Sequence, residues 1–454
     1  EDFELHVLQS ADGGVTFGPE TTIAGGAGQA GVLRFQAAGT PDGNIHVVAE
    51  VADPAGGVGL GFLTSADMGL NWSAPRLITG GRNAPWSPTR PRIAARGANV
   101  AVVFFSASEN HAYVVSSADR GGTWVGPVQV DAIAEPHDIK GADVAIGADR
   151  TVHVLFCISD PRQYRPWYAH STDGGRTFSA PLDLSTFTTA SPPLGLNPTL
   201  AAAEDGSILA GFSGAGVLVL RSVDGGASFT TTLQRGYGMP VPMLVTAPGT
   251  ATVLLLSDDI STLTVNRSTD NGASFGTAST VTTSYSKSDS YADMASVVKT
   301  PSGRWALAWT DYRNGQTDVY ASVSNDDGAT WGSAVRVDQD APGAAPSRLD
   351  RGGMAATLDD GLFPAYRDER DRPAGAADVY ANRSAAAALD FSHETRIDTD
   401  PGLVPVGTNN DPFVATDGVR GAYVAFEGFP LGPGSVAYVA ASEDGGRTFP
   451  RTTA

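Results

Sequence analysis

The amino-acid sequence predicts an all-β chain folded as a single β-propeller of four-stranded antiparallel blades. Three observations lead to this prediction. A short turn motif returns at nearly even spacing, four strand-like stretches lie between consecutive copies, and no window shows the 3.6-residue apolar period of a helix. Together they indicate one small β unit repeated around a ring.

The turn motif has the frame Ser-x-Asp-x-Gly-x-x-Phe/Trp and occurs in eight intact copies. The Asp can cap backbone N–H groups, the Gly can take a positive φ, and the aromatic ring can be buried beneath the turn. Each copy is therefore predicted to form a structural hairpin corner. The carboxylates of these corners are Asp12, Asp67, Asp119, Asp173, Asp224, Asp270, Asp326 and Asp444.

A ninth copy has lost its inner residues. Ser384 and Phe391 keep the outer frame, whereas Ala386 and Ala388 replace the Asp and the Gly. With this copy included, successive copies start 46 to 60 residues apart. The altered unit also carries the densest charged stretch of the chain, residues 367–372.

The strands are clearest in the unit from residue 290 to residue 337. Residues enriched in strand formers predict strands at 291–299, 304–310, 318–323 and 334–337, with the turn motif between the last two. Strands at 3–9 and 20–23 are expected to complete the C-terminal unit, because pairing both ends removes exposed sheet edges. This closure gives eight blades. Partial blades at both ends would give nine.

The repeated turn resembles the Asp-box, or bacterial neuraminidase repeat, of the sialidase superfamily, and the resemblance covers essentially the whole chain. It implies that each box joins the third and fourth strands of a blade, on the face opposite the active site, with a structural role. Members that cleave sialic acid use an arginine triad, a tyrosine nucleophile assisted by a glutamate, and an aspartate acid/base. They have six blades.

The resemblance implies one catalytic candidate in this chain. The stretch Leu33-Arg34-Phe35-Gln36 occupies the place of the family's Tyr-Arg-Ile-Pro motif, so Arg34 corresponds to the first arginine of the triad. Phe35 and Gln36 depart from that motif. No tyrosine can be chosen as the nucleophile from the sequence.

Binding residues are expected in the loops opposite the boxes. Arginine and carboxylate side chains crowd these loops and can hold an anionic or sugar ligand through bidentate hydrogen bonds. The alternative is ion pairing within each blade, because an Asp recurs at the end of the second strand. The candidates are Asp53, Asp160, Arg162, Arg165, Asp311, Arg313, Arg367, Asp368 and Arg370.

Composition excludes several classes of function. The chain has 49 acidic against 30 basic residues, a net charge of −19, which leaves no basic footprint for nucleic acid. No apolar run is long enough for a transmembrane span. No signal segment opens the sequence, so an exported protein would have lost it before Glu1. No linker-like break occurs, and residues 1–454 are predicted to form one domain.

Cofactors are not expected. The seven histidines are scattered singly, without metal-ligand spacing, and His46 and His153 lie in strand patterns that favour structural roles. The single Cys157 lies in an apolar run and is predicted to be a buried thiol. Only Ca²⁺ fits any pattern: paired carboxylates follow the fourth strands at 337–340 and 397–400, although neither stretch holds a full ligand loop.

These observations favour an exported propeller that acts as a rigid binding or scaffold module. Its partner, a carbohydrate or a protein, is expected on the face opposite the boxes. Two alternatives stay open: an exo-acting glycoside hydrolase of sialidase type, and a subunit of a larger cell-surface assembly.

Overall fold

The computed structural model describes most of the chain, with gaps that are widest at both ends. The described residues are 5–7, 21–24, 32–40, 42–52, 58–66, 72–74, 76–80, 88–134, 137–159, 164–189, 196–214, 216–235, 243–247, 249–258, 262–283, 295–349, 353–357, 360–371, 377–384, 389–392, 394–397, 403–405, 412–416, 422–430, 436–442 and 452–453.

These residues form eight sheets, numbered here in chain order. In sheets 1 to 6 the four strands pair in sequence order and antiparallel. Sheet 1 has strands Val32–Gly39, Ile45–Ala52, Val58–Ser65 and Arg76–Gly80. Sheet 2 has Pro88–Arg96, Asn99–Ser106, His111–Ser117 and Val125–Gln129. Sheet 3 has Asp138–Ile146, Val152–Ser159, Tyr164–Ser171 and Leu182–Asp183, followed by one 3₁₀ turn at Leu184–Phe187.

The next three sheets repeat this plan. Sheet 4 has strands Leu196–Ala202, Ile208–Gly214, Gly216–Ser222 and Thr230–Arg235. Sheet 5 has Met243–Thr246, Val253–Asp258, Leu263–Ser268 and Ser279–Thr282. Sheet 6 has Ala295–Lys299, Trp305–Asp311, Asp318–Ser324 and Val335–Arg336.

The last two sheets vary the plan. In sheet 7 two short strands share the first position, so its strands are Ser347–Arg348, Met354–Ala356, Leu362–Asp368, Asp378–Asn382 and Glu394–Arg396. Sheet 8 joins both ends of the chain, with strands Leu403–Pro405, Phe413–Thr416, Ala422–Pro430, Val436–Ser442, Thr452–Thr453, Leu5–Val7 and Thr21–Ala24. Within it, Leu5 pairs in parallel with Ala437.

Apolar side chains fill the spaces between successive sheets. Phe104 of sheet 2 packs with Val48 and Leu60 of sheet 1, and Trp305 of sheet 6 packs with Leu254 of sheet 5. Burying one such large side chain contributes roughly 1.5–3 kcal/mol. The largest fully buried side chains are Trp305, Trp309, Tyr168, Tyr366, Phe62, Phe104, Phe156, Phe212 and Phe363.

The five boxes within the described residues share one hydrogen-bond pattern. The box serine donates to the box aspartate at 2.7–2.8 Å and accepts from the glycine N–H at 2.8 Å. A Thr or Ser just before the aromatic residue donates its N–H and its hydroxyl to the same carboxylate, as Ser228 does to Asp224. The boxes of Asp12, Asp67 and Asp444 lie outside the described residues.

Each described box also packs against the preceding sheet through its glycine. Gly226, at a φ of +96°, approaches Tyr168 of sheet 3 so closely that a Cβ would lie 2.1 Å from the Tyr168 hydroxyl oxygen. Gly121 approaches Phe62 of sheet 1 in the same way, and Gly328 approaches Leu254 of sheet 5. The box is therefore a clasp between neighbouring sheets as well as a turn within one.

The altered ninth unit makes this connection by other means. Ser384 keeps its place and accepts a hydrogen bond from the Leu362 N–H at 3.2 Å, and Phe391 is buried. The Phe391 carbonyl accepts from the side-chain amides of Gln339, at the end of sheet 6, and of Asn382. A glutamine that follows the fourth strand of sheet 6 thus joins the altered unit to the preceding sheet.

The structure confirms the all-β propeller fold, with each box between the third and fourth strands. The blade number and the single domain over residues 1–454 stay predictions. Within the described residues, no helix has the length and apolar character needed to cross a membrane.

Candidate functional site

Each sheet has two ends of different character. The boxes and the loops between first and second strands lie at one end, called here the box face. The loops between second and third strands, and the crossings to the next sheet, lie at the other end, the non-box face. The candidate binding residues belong to the non-box face.

In sheet 6, Asp311 fixes Arg313 at this face. The Asp311 carboxylate is fully buried and accepts from Arg313 Nε at 2.9 Å, from the Arg313 N–H at 3.0 Å and from Trp309 Nε1 at 3.1 Å. The Arg313 guanidinium lies 4.0 Å above the centre of the Tyr320 ring. The ion pair and the cation–π contact together hold the guanidinium in one orientation.

Sheet 7 repeats this arrangement. Asp368 is fully buried and accepts from the Arg370 N–H at 2.8 Å and from Arg370 Nη2 at 2.5 Å. The Arg370 guanidinium lies 4.4 Å above the centre of the Tyr380 ring and also donates to Glu394 Oε1 at 2.9 Å. Two neighbouring sheets therefore present the same fixed guanidinium.

A second ion pair joins the start of the third strand to the fourth strand. In sheets 6 and 7 the third strand supplies the carboxylate, whereas in sheet 3 it supplies the guanidinium. The three sheets pair their third and fourth strands in the same register. The fourth-strand member of each ion pair lies opposite an aromatic residue of the third strand, which is Tyr320, Tyr380 or Trp167. The pairs are Asp318–Arg336 at 3.7 Å, Asp378–Arg396 at 2.9 Å and Arg165–Asp183 at 3.1 Å.

The third-strand tyrosines are tied to the preceding loops. Tyr320 and Tyr380 belong to the Asp-Val-Tyr-Ala stretches that recur at 318 and 378, and this recurrence was the only sequence signal for them. Sequence reasoning missed their loop partners. The Tyr113 hydroxyl donates to the Glu109 carboxylate at 2.6 Å, and the Tyr380 hydroxyl donates to the Asp371 carboxylate at 2.7 Å. The Tyr320 hydroxyl accepts from the Asn314 side-chain amide at 2.8 Å.

The predicted binding residues divide into three groups. Five of them form ion pairs within their own sheets, as the structural alternative predicts: Arg165, Asp311, Arg313, Asp368 and Arg370. Arg367 is buried in the second strand of sheet 7. The residues Asp53, Asp160 and Arg162 lie outside the described part of the chain.

Arg34 lies in the first strand of sheet 1. Its backbone pairs in register with that of Glu50, while its side chain is outside the described part. Its catalytic role stays a prediction.

The carboxylates of Asp338 and Asp340, at the crossing after sheet 6, meet that of Asp318 from the third strand of the sheet. The sequence predicted possible Ca²⁺ binding at this crossing. Arg336 already supplies positive charge there: its Nη1 lies 2.9 Å from Asp338 Oδ2 and 3.0 Å from Asp340 Oδ1. Burial raises the pKa of Asp338 above its usual range, although Arg336 opposes this. Calcium at this position stays a prediction, and residues 398–400 lie outside the described part.

His46 and His153 are buried within their strands, and Cys157 is the buried thiol that the sequence predicts. His46 Nδ1 lies 2.8 Å from the Thr64 hydroxyl, and His153 Nδ1 lies 2.7 Å from the Tyr168 hydroxyl. Burial lowers the pKa of both imidazoles to about 4. Cys157 is fully buried, which raises the pKa of its thiol.

The described residues include two tyrosine–glutamate contacts of the kind a sialidase needs. The Tyr366 hydroxyl donates to Glu394, which also binds Arg370, and the Tyr113 hydroxyl donates to Glu109. Both tyrosines are buried, and burial raises the pKa of each hydroxyl. A nucleophile must reach the substrate, so neither buried ring suits that role.

The chain resembles several solved structures of carbohydrate-active enzymes at low identity. A PL25 ulvan lyase is 13% identical, with 80% of this chain and 82% of that one covered and a TM-score of 0.46. The α-L-arabinanase of Penicillium chrysogenum is 15% identical over 55% of this chain and 82% of that one, with a TM-score of 0.36. The NanB sialidase of Streptococcus pneumoniae is 10% identical over 89% of this chain and 66% of that one, with a TM-score of 0.41.

A search of curated proteins found no significant match. A family model does match: the BNR repeat-like domain, over residues 141–369. This segment runs from the first strand of sheet 3 to the second strand of sheet 7 and contains four of the described boxes. Because the match spans half of the chain, the chain belongs to the BNR repeat-like domain family.

Proposed function

We propose that this chain is a rigid, exported carbohydrate-binding module that holds its ligand on the non-box face. The observation that carries the proposal is the repeated guanidinium of sheets 6 and 7. Arg313 and Arg370 are each fixed by a fully buried carboxylate and stacked on a tyrosine ring, yet their side chains remain 18% and 16% exposed.

Such groups suit a sugar ligand. A guanidinium that is already oriented loses little conformational entropy when it donates to sugar hydroxyls or to a sugar carboxylate. Tyr312, beside Arg313, is 36% exposed and offers a ring surface for an apolar sugar face. The resemblance of the boxes to the sialidase superfamily supports the same ligand class.

Rigidity favours binding over catalysis by these residues. The buried carboxylates of Asp311 and Asp368 hold the Arg313 and Arg370 guanidinium groups in one orientation. The buried tyrosines give no support to the sialidase-type alternative. Export from the cell is part of this proposal, whereas a protein partner and membership of a larger surface assembly are alternatives to it.

The proposal is tested by glycan binding. The purified chain is screened on a glycan array, and the affinity of the best ligand is measured by calorimetry for Arg313→Gln and Arg370→Gln. Each variant is expected to bind about 10- to 100-fold more weakly, because a charge-assisted hydrogen bond contributes roughly 1.5–3 kcal/mol.

Arg221→Gln is the matched control. Arg221 is similarly exposed, at 15%, and also ion-paired, with Asp205 at 2.7 Å, but it lies on the box face. Its loss is expected to leave binding unchanged. An equal loss of affinity in this variant, or turnover of a fluorogenic sialoside by the unaltered chain, would contradict the proposal.

A further inference from the structure

Two histidines meet one buried carboxylate where the chain crosses from sheet 2 to sheet 3. His111 begins the third strand of sheet 2, Asp131 follows its fourth strand, and His137 immediately precedes the first strand of sheet 3. His111 Nδ1 and His137 Nε2 each lie 2.9 Å from Asp131 Oδ2. One ligand atom from each residue lies within 4.8 Å of the other two.

The carboxylate at the centre is incompletely satisfied. The Asp131 side chain is fully buried, and its Oδ1 atom has no hydrogen-bond partner among the described residues. The His137 side chain is 3% exposed. A buried carboxylate oxygen without a donor is costly and is expected to have a partner.

The equivalent position in sheet 6 shows what is missing. There Asp338 follows the fourth strand, accepts from the Val319 N–H at 2.7 Å and pairs with Arg336 at 2.9 Å. In sheet 2, Gln129 takes the register position of that arginine and carries no charge. At Asp131 two imidazoles take the place of that guanidinium, and a metal ion held between them would supply the positive charge.

We propose that His111 Nδ1, His137 Nε2 and the Asp131 carboxylate bind one Zn²⁺ ion. Two imidazoles and one carboxylate are a typical zinc donor set, and three protein ligands leave a fourth position for water or a ligand oxygen. Tetrahedral ligands at zinc distances of about 2.0–2.1 Å lie roughly 3.3 Å apart. The 2.9 Å separations must open by roughly 0.4 Å, and the His111 side chain, 37% exposed, has room to move.

The ion would fasten sheets 2 and 3 at the non-box face. At the opposite face the same two sheets are already joined by a box, because Ser116 Oγ donates to the Gly174 carbonyl at 2.7 Å. Zinc would thus complete a connection at both ends of this sheet pair. This proposal does not depend on the carbohydrate ligand.

The test is zinc binding by the full chain after EDTA treatment and removal of the chelator. Titration with ZnCl₂ in a calorimeter is expected to give one site per chain. Replacement by Co²⁺ is expected to give the visible absorption bands of a tetrahedral centre. Zinc is also expected to raise the unfolding temperature.

Variants assign the ligands. His111→Gln and His137→Gln are each expected to weaken zinc binding by more than the roughly 10- to 100-fold that loss of an outer-sphere partner costs. His170→Gln, a change at a half-buried histidine of sheet 3 outside the cluster, is the matched control. Asp340→Asn, in the acidic cluster after sheet 6, is a second control. Both controls are expected to bind zinc like the unaltered chain.

Hydrogen bonds from the two histidines to Asp131, without a metal ion, predict the opposite results. If zinc gives no heat and no rise in unfolding temperature, or if both histidine variants bind zinc as tightly as the unaltered chain, the proposal is overturned. His111 is partly exposed, so His111→Gln is expected to fold even where changes at the buried Asp131 do not.

Discussion

Each box carboxylate accepts several hydrogen bonds inside one short turn. Asp326 accepts from the Ser324 hydroxyl and from both the N–H and the hydroxyl of Thr330. The Thr330 hydroxyl, followed by its N–H, contributes most to holding the pKa of this carboxyl at about 2, against an ordinary 3.8. Asp224 has a pKa of about 2 for the same reason, with Ser228 as the donor.

These pKa values predict acid sensitivity. Because the folded-state pKa is depressed, the unfolded chain takes up protons first. The stability that the boxes contribute is therefore complete above about pH 4 and is lost as the pH falls through about 2. The urea concentration at the midpoint of unfolding, measured between pH 2 and pH 7, is expected to decrease as the pH falls from about 4 to about 2.

The variant Asp224→Asn separates the boxes from other acids. It is expected to be less stable at pH 7 and to lose less stability between pH 4 and pH 2, because one titrating group has been removed. Asp390→Asn, a change at an exposed residue in the altered ninth unit, should keep the full acid dependence. If Asp224→Asn lost as much stability between pH 4 and pH 2 as the unaltered chain, the box carboxylates would not be the source of the acid sensitivity.

Sequence reasoning at this scale succeeded where a role repeats with the same residue type. The Asp, the Gly and the aromatic residue of the box had readable roles. The ion pairs between the third and fourth strands did not, because Arg165–Asp183 carries the opposite sign order to Asp378–Arg396. A sequence motif repeats the same residue types, whereas the fold requires only that the third and fourth strands carry opposite charges at these paired positions.

At the scale of strands and turns, the box glycine decides how tightly one sheet meets the next. Gly225 and Gly226 both have positive φ, at +75° and +96°, so replacing either one by a residue with a Cβ strains the backbone. A Cβ on Gly225 would meet nothing within 4 Å, whereas one on Gly226 would collide with the Tyr168 ring. The two glycines therefore separate backbone strain from inter-sheet contact.

We expect Gly225→Ala to cost about 1–2 kcal/mol, the ordinary cost of a left-handed residue with a Cβ. Gly226→Ala should cost about 1–3 kcal/mol more, since the Tyr168 ring is buried and must move. Urea unfolding of the two variants measures the difference. Equal losses would show that the box does not act as a clasp.

The strands were largely predictable, and their ends less so. The expected strand at 318–323 agrees with Asp318–Ser324, whereas the strand expected at 334–337 is confined to Val335–Arg336. The 3₁₀ turn at Leu184–Phe187 has only four residues, too few to show a helical apolar period in the sequence. It depends on a local cap, in which the Asp183 carboxylate accepts from the Ser185 N–H.

At the scale of the whole molecule, the sequence predicted the repeat, the sheet order and the joining of both ends in sheet 8. It did not predict which side chains meet at the crossings. His111, Asp131 and His137 are 6 to 26 residues apart and belong to two sheets. Their meeting depends on how neighbouring sheets are stacked, which no local pattern records.

The two faces of the molecule therefore have different roles. On the box face, the described boxes fasten sheets 2 to 6 each to the preceding sheet. The non-box face presents oriented guanidinium groups and the proposed zinc ligands. The unit with the altered box keeps Asp368 and Arg370 on the non-box face and is joined to the preceding sheet by Gln339, which lies at the crossing after sheet 6.

Hydrogen–deuterium exchange with and without the glycan selected on the array tests this division most directly. We expect the bound glycan to slow amide exchange around Arg313 and Arg370, on the non-box face, and to leave the box turns at 222–229 and 324–331 unchanged. Slower exchange at those box turns, with no change around Arg313 and Arg370, would contradict this division between the faces.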